Sequence, residues 1–283
     1  MNKVKIVVDS TVDLTPELYK KCDLFVMPLS VNFGEKSYKD GVDITPDEIY
    51  KMVKEGSPLP STAAIPPQMF IDELKPFIDE GYDIVFMGIG GALSTTLQNI
   101  HIAMDELEAN RIFPLDSKNL SSGTGLLALK AARLRDEGKS AKEIVEYLNY
   151  IVDKVSAKFV LERLEYMHKG GRCSTMTAIV GTLLHIHPIL KMVEGKLVVE
   201  KKPRGPMKNA YMEMVNELKE DLPNIDFDHV MITHAGIEED RLKFVYDQVA
   251  QLVDPKIIEI TRAGCVVSSH CGYGTIGILY IKK

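Results

Sequence analysis

The chain has 283 residues, 45% of them hydrophobic and 26% charged, with a net charge of -6 and a pI near 5.7. That length can bury the cores of two ordinary domains, and the composition excludes long disorder. The acidic balance argues against nucleic acid or an anionic membrane surface as the main partner, so an anionic ligand would need a local site.

Lys3 to Val8 is a short β-branched run, and Asp9-Ser10-Thr11 follows it. Its first acid comes too early for a signal peptide, and no later stretch is apolar enough for a bilayer span, so a cytoplasmic location is expected. Thr15-Pro16-Glu17 is a helix start with proline at the first helical position. Phe25 to Phe33 reads as one extended stretch, and Thr45-Pro46-Asp47-Glu48 opens a helix with a capping box. Thr62 sits on a proline-stiffened loop before a further helix. Ile84 to Met87 is a buried strand leading into Gly88-Ile89-Gly90-Gly91, with a helix beginning near Ser94. Arg111 to Leu115 is another strand, Asp116-Ser117 a turn, and Ser121 to Glu137 is periodic at helical spacing. Ser140 to Glu143 starts a helix expected to run to about Ala157, before a strand at Phe159 to Glu162.

Strands alternating with helices imply right-handed crossovers and a mainly parallel sheet. The first half, residues 1–157, therefore reads as an α/β domain. Residues 158–283 read differently. Ile189 to Met192 and Leu197 to Glu200 form a hairpin around Glu194-Gly195-Lys196. A helix at Met207 to Leu222, a strand at Val230 to Thr233, a helix at Glu239 to Leu252 and strands at Ile257 to Thr261 and Ile276 to Ile281 complete an α+β domain with a mixed sheet.

An amphipathic run over Leu164 to Lys169 stops at Gly170-Gly171 and then presents Arg172. Glycine pairs mark a turn or a close approach, and the planar guanidinium suits a carboxylate or phosphate; a glycine C-cap with an exposed arginine explains the same letters. Gly272 to Gly277 matches GxGxxG, but a strand follows where a dinucleotide fold needs a helix. Gly88 to Gly91 before a helix is the better anion cradle, because free N-terminal amides would point at the ligand. Asp9-Ser10 and Asp116-Ser117 follow strands at the ligand-binding edge of a parallel sheet, although turn chemistry accounts for them as well. His185 and His187 read as packed, hydrogen-bonded histidines, since no acidic or cysteine partner stands near them. Cys22, Cys173, Cys265 and Cys271 lack CxxC spacing and read as reduced structural residues. No P-loop and no nucleophile elbow is present, and no metal or cofactor is expected.

Taken in order, Asp9-Ser10-Thr11 with Asp13, Pro28 to Val31, Tyr38 to Gly41, Thr62 before Phe70, Leu93-Ser94 with Thr96, Asp116-Ser117-Lys118, Leu164 to Arg172, and Ser269-His270 before Gly272-Tyr273-Gly274 resemble the DegV family from end to end. That resemblance implies bacterial fatty-acid-binding proteins of two α/β domains that hold one acyl chain between them. It also implies a FakB-type carrier subunit of fatty acid kinase, not itself catalytic, which presents the carboxylate to an ATP-dependent kinase for conversion to acyl phosphate in phospholipid synthesis. Carried over by position, Thr62 and Ser94 match residues associated with the carboxyl group, and Arg172 and His270 match the family's arginine and histidine; His270 is expected to join Thr62 and Ser94 in binding the carboxylate, with Ser61, Gly90, Gly91 and Gly272 as head-group support. Arg172 is assigned to the kinase or the phosphate being transferred. Transient membrane contact without a span is compatible with this role. Gly90-Gly91 and Ala63-Ala64 stand where the family often has polar side chains, so two hydrogen-bonding groups are missing.

The physics of such a ligand fits these residue types. Burying about fifteen methylenes contributes on the order of 10 kcal/mol before ordering costs, so the tail dominates affinity. The carboxylate needs donors once dehydrated, and hydroxyls supply them without burying a second charge. Two other readings remain open from the sequence. One is a stand-alone lipid storage or sensing protein, and the other a hydrolase or phosphotransferase using Ser94 with His270.

Overall fold

The computed structural model describes residues 3–107, 110–174 and 186–283. Strand β1 (Val4–Asp9) leads to α1 (Pro16–Lys21), where the Thr15 hydroxyl accepts from the Leu18 amide. The stretch expected over Phe25 to Phe33 is two strands, β2 (Leu24–Met27) and β3 (Ser30–Phe33), parted at Pro28, which has no N–H for a continuous ladder. After β4 (Lys36–Lys39), helix α2 (Pro46–Lys54) carries its capping box between Thr45 and Glu48. The loop expected around Thr62 is instead a short strand, β5 (Ser61–Ala63), with Thr62 opposite Val31 of β3. Then come α3 (Pro67–Asp79), β6 (Asp83–Met87), α4 (Thr96–Glu106), β7 (Ile112–Leu115), α5 (Ser122–Asp136) and α6 (Ala141–Ile151).

The helix expected to reach Ala157 stops at Ile151, and β8 (Val155–Val160) follows after one tight turn. Valines at both ends of that segment and its place between two sheet neighbours override the helical continuation. Strand β8 lies wholly in the second sheet, so the boundary expected after residue 157 falls inside it. Helix α7 (Leu164–Gly170) comes next, then the hairpin β9 (Ile189–Val193) and β10 (Lys196–Lys201). Helix α8 (Met207–Asp221), β11 (Ile225–His234), α9 (Glu239–Val249), β12 (Ile258–Arg262), α10 (Cys265–Cys271) and β13 (Ile276–Lys282) complete the chain.

Strands β2-β1-β6-β7 form a parallel sheet, as the alternation of strands and helices requires. Strands β10-β9-β8-β13-β11-β12 form a mixed sheet, parallel only between β11 and β12. A small antiparallel sheet, β4-β3-β5, stands apart.

Helix α5 joins the two halves. Its side chains are buried on almost every side, because it packs on β1 with one face and on β8, β11 and β13 with another. One apolar core therefore runs from Val8 and Val85 of the first sheet through Leu127 to Met231 and Leu279 of the second. Lys130 on this helix is buried against Asp226 and Asp228, fastening α5 to the start of β11. Among the described residues no disulfide joins the cysteines, no group of side chains could hold a metal, and no helix is long and apolar enough to cross a membrane. His187 bonds the Gly205 carbonyl through Nε2 at 3.0 Å, while His185 lies outside the described residues.

Candidate functional site

Three buried aspartates set the positions of the elements around the site. Asp9, at the end of β1, accepts from the Thr11 amide and hydroxyl and from the Ile89 amide at 2.9 Å, which fixes the glycine loop. Asp13 accepts from the Gly264 amide at 2.7 Å and from the Ser121 hydroxyl. Asp40 accepts from the Cys265 amide at 2.6 Å, from the Val266 amide at 3.3 Å and from the Ser10 hydroxyl at 3.0 Å. The opening amides of α10 are thus capped by carboxylates from the first half of the chain, which locks α10 against it. Burial raises the pKa of Asp13 and Asp40 and pushes that of Asp9 up to about 6 against its hydrogen bonds.

At its far end α10 carries His270, whose Nε2 lies 2.9 Å from the Thr62 hydroxyl on β5. Residues 208 positions apart therefore form one polar pair. Burial, and then the positive charge of Arg172, lower the His270 pKa to about 4, so the ring is neutral at physiological pH. Its buried Nδ1 faces Gly170 and has no partner among the described residues. A buried lone pair is better tolerated without a partner than a buried N–H, so the proton belongs on Nε2. Nε2–H then donates to Thr62, and the Thr62 hydroxyl keeps its own hydrogen for an acceptor in the adjoining space.

Ser94 precedes α4, its hydroxyl 3.0 Å from that of Thr96 and accepting from the Thr96 amide. With Nε2 held by Thr62, Ser94 and His270 are not joined as a nucleophile and its base. Arg172 follows the αL cap at Gly171 and donates to the carbonyls of Gly170, at 2.7 Å, and Leu93. Among the described residues the rest of its donor fork has no further partner.

The glycine loop does not work as the free-amide cradle expected from its sequence. Ile89, Gly90 and Gly91 donate to Asp9, to the Asn119 carbonyl and to Asp116, respectively. Asp9 and Asp116 are thus loop anchors, the turn chemistry that was the alternative account of both. Ser61 is exposed on β5, and Gly272, with φ of 75°, lies so close to Tyr166 that a Cβ would stand 2.8 Å from its ring.

Thr62, Ser94, Arg172 and His270 stand in the wall of one cavity. The rest of that wall is apolar, with Leu29, Ile89, Leu120, Met167, Leu197 and Val267 among its members. Thr62, Ser94 and Arg172 also border a hollow at the surface, so the polar group marks the mouth and the apolar residues the depth. Four residues spread over the chain from 62 to 270 meet in this way. Sequence reasoning singled out Gly170 in its glycine pair but not the His270 ring it lies against, and it did not find Asp13 and Asp40 as caps of α10. Glycine at the end of α7 and aspartates in the first half were visible, but only the fold shows what lies opposite them.

The family model described as "Uncharacterised protein, DegV family" matches residues 3–283. A DegV domain-containing protein of Clostridium acetobutylicum is 35% identical over 283 residues, covering 100% of both chains. Among solved structures, a fatty-acid-binding DegV family protein from Thermus thermophilus superposes with a TM-score of 0.90 at 28% identity, covering 99% of this chain and 100% of its own. A stearic acid-binding protein from Eubacterium ventriosum gives a TM-score of 0.85 at 26% identity, with 99% and 98% covered.

Proposed function

The chain belongs to the DegV family, and from that premise we propose that it binds one long-chain fatty acid and presents the carboxylate to an ATP-dependent fatty acid kinase for conversion to acyl phosphate. The observation that carries the reading is the polarity of the cavity. Its neutral hydroxyls and one arginine gather at the mouth, and its depth is hydrocarbon. A ligand with one charged end and a long apolar tail has the matching pattern. Solved relatives that bind fatty acids share this fold over nearly their whole length, which supports the same ligand class here.

In this reading Thr62 and Ser94 donate to the carboxylate, and His270 acts through Thr62 by holding its oxygen while leaving its hydrogen for the ligand. Because these donors are neutral, the carboxylate stays nucleophilic and close to the surface. Arg172 faces the same mouth and suits the phosphate being transferred or an acidic group on the kinase. The test is reconstitution: purified protein, fatty acid, ATP and a fatty acid kinase subunit should give acyl phosphate, with none formed when this chain is left out. Lipid binding without acyl phosphate under these conditions would separate the carrier role from the binding role and remove the former.

A further inference from the structure

The hairpin of β9 and β10 reaches the first half of the chain at its turn. Glu194 and Gly195 both have positive φ, 49° and 77°, the backbone of a tight two-residue turn that matches the strand twist. A Cβ on Gly195 would stand 3.7 Å from Ala92 and from Lys118, so the turn rests on the glycine loop and on the segment after β7. Lys196, the first residue of β10, is held at that junction. Lys191 and Lys201 of the same hairpin are paired with Glu200 and with Glu213 and Glu217. Lys196 is exposed and has no acidic partner among the described residues.

Beside the turn is a surface hollow with Arg172, Ser174, Lys196 and Leu197 in its wall. Ala92, Leu93 and Arg172 border both this hollow and the mouth of the main cavity, which therefore lie side by side with those residues between them. Lys196 belongs to the hollow and not to the wall of the main cavity.

Phosphoryl transfer changes the charge at the mouth. As the carboxylate oxygen bonds to the γ-phosphorus of ATP and the bond to the departing ADP oxygen breaks, a head group with one negative charge becomes an acyl phosphate with close to two. Thr62 and Ser94 bring no positive charge to meet it, and the His270 ring is neutral. Arg172 supplies one cation at the boundary, and Lys196 is a second cation in the hollow that Arg172 borders.

We propose that the phosphate of the acyl phosphate sits over Arg172 toward this hollow, with Arg172 and Lys196 as its two cationic partners, and that Lys196 serves the phosphorylated ligand and not the free fatty acid. This rests on the carrier reading above. It assigns Lys196 a part in holding the product that no letter pattern around it reveals.

The probe is 2-oxoheptadecylphosphonic acid, a stable mimic of palmitoyl phosphate in which a methylene replaces the bridging oxygen. Its equilibrium binding and that of palmitic acid are measured on wild type, Lys196→Ala and Lys196→Arg. Lys196→Ala should bind the phosphonate at least about fivefold more weakly than wild type and palmitic acid within about twofold, while Lys196→Arg, which keeps the charge, should stay within about twofold for both. A structural role of the hairpin turn would instead move both ligands together. Equal change for the two ligands, no change for either, a Lys196→Arg variant as weak as Lys196→Ala, or a phosphonate that wild type does not bind would overturn the proposal while leaving fatty-acid binding intact. Failure of wild type to bind palmitic acid would overturn the fatty-acid reading itself.

Discussion

Gly170 and His270 leave no room for anything between them: a Cβ on Gly170 would stand 2.2 Å from His270 Nδ1. The last residue of α7 is therefore glycine because the ring that holds Thr62 lies against its Cα. Alanine is the better helix former by up to about 1 kcal/mol, so propensity alone would favour Gly170→Ala. The structure predicts the opposite for function. The variant should keep its fold yet lose bound fatty acid about as His270→Ala does, measured by lipid content after purification. Wild-type lipid content in Gly170→Ala would show that the ring position is unimportant.

Thr62 and Ser94 are expected to act on the ligand more than on the fold. Each is only partly buried, so alanine should change unfolding free energy little. Losing a hydrogen bond to a charged group removes about 1.5–3 kcal/mol, which corresponds to roughly tenfold to hundredfold weaker binding for each residue. Titration of a fluorescent fatty acid into Thr62→Ala and Ser94→Ala reads this directly, and unchanged affinity in both would remove them from the site.

Arg172→Ala separates carriage from transfer. Its guanidinium is exposed at the mouth and tied to two backbone carbonyls, so the tail-binding cavity survives its removal. Lipid content should remain within about twofold of wild type, while acyl phosphate formation with the kinase falls tenfold or more, as expected for a lost charge-assisted contact. Normal turnover would contradict this division of roles.

Acid stability should report the state of His270. Its folded pKa of about 4 lies below the ordinary 6.5, so between these values the unfolded chain takes up a proton that the folded chain refuses. The stability tied to the neutral ring is complete above pH 6.5 and is lost as pH falls toward 4, by an amount on the order of a few kcal/mol. Asp9 has the opposite sign. Its folded pKa of about 6 exceeds the ordinary 3.8, so its contribution is present at low pH and is lost as pH rises through that window. Asp9 is common to wild type and His270→Gln, and its effect cancels in their difference. Urea unfolding should show the variant losing less stability than wild type between pH 6.5 and 4, and parallel curves would mean that the ring is not held neutral.

Much of the fold was legible because its signals are local. The capping boxes at Thr45 and Ser140, the glycine turn at Gly195 and the β-branched run of β1 each appear where the residues place them. The errors occur where a distant partner decides. Val155 to Ala157 reads as the end of a helix but belongs to β8, held between two neighbouring strands, and β5 is a strand only through pairing with β3. Helix α10 has almost no polar face to reveal a period, and its caps come from Asp13 and Asp40 more than 220 residues away. The site shares this character. Its hydroxyls, histidine and arginine could be picked out by resemblance, whereas the pairing of Thr62 with His270 and the occupied amides of the glycine loop depend on the folded arrangement.

The central claim is a cavity whose apolar depth hides one hydrocarbon tail while Thr62 and Ser94 grip the acid end. Organic extraction of the purified protein followed by mass spectrometry, run on wild type and on the Thr62→Ala/Ser94→Ala double variant, tests it most directly. The account predicts close to one long-chain fatty acid per wild-type chain and strong depletion in the variant. A wild-type protein free of fatty acid even after incubation with it, or a variant that retains the same lipid load, would contradict it.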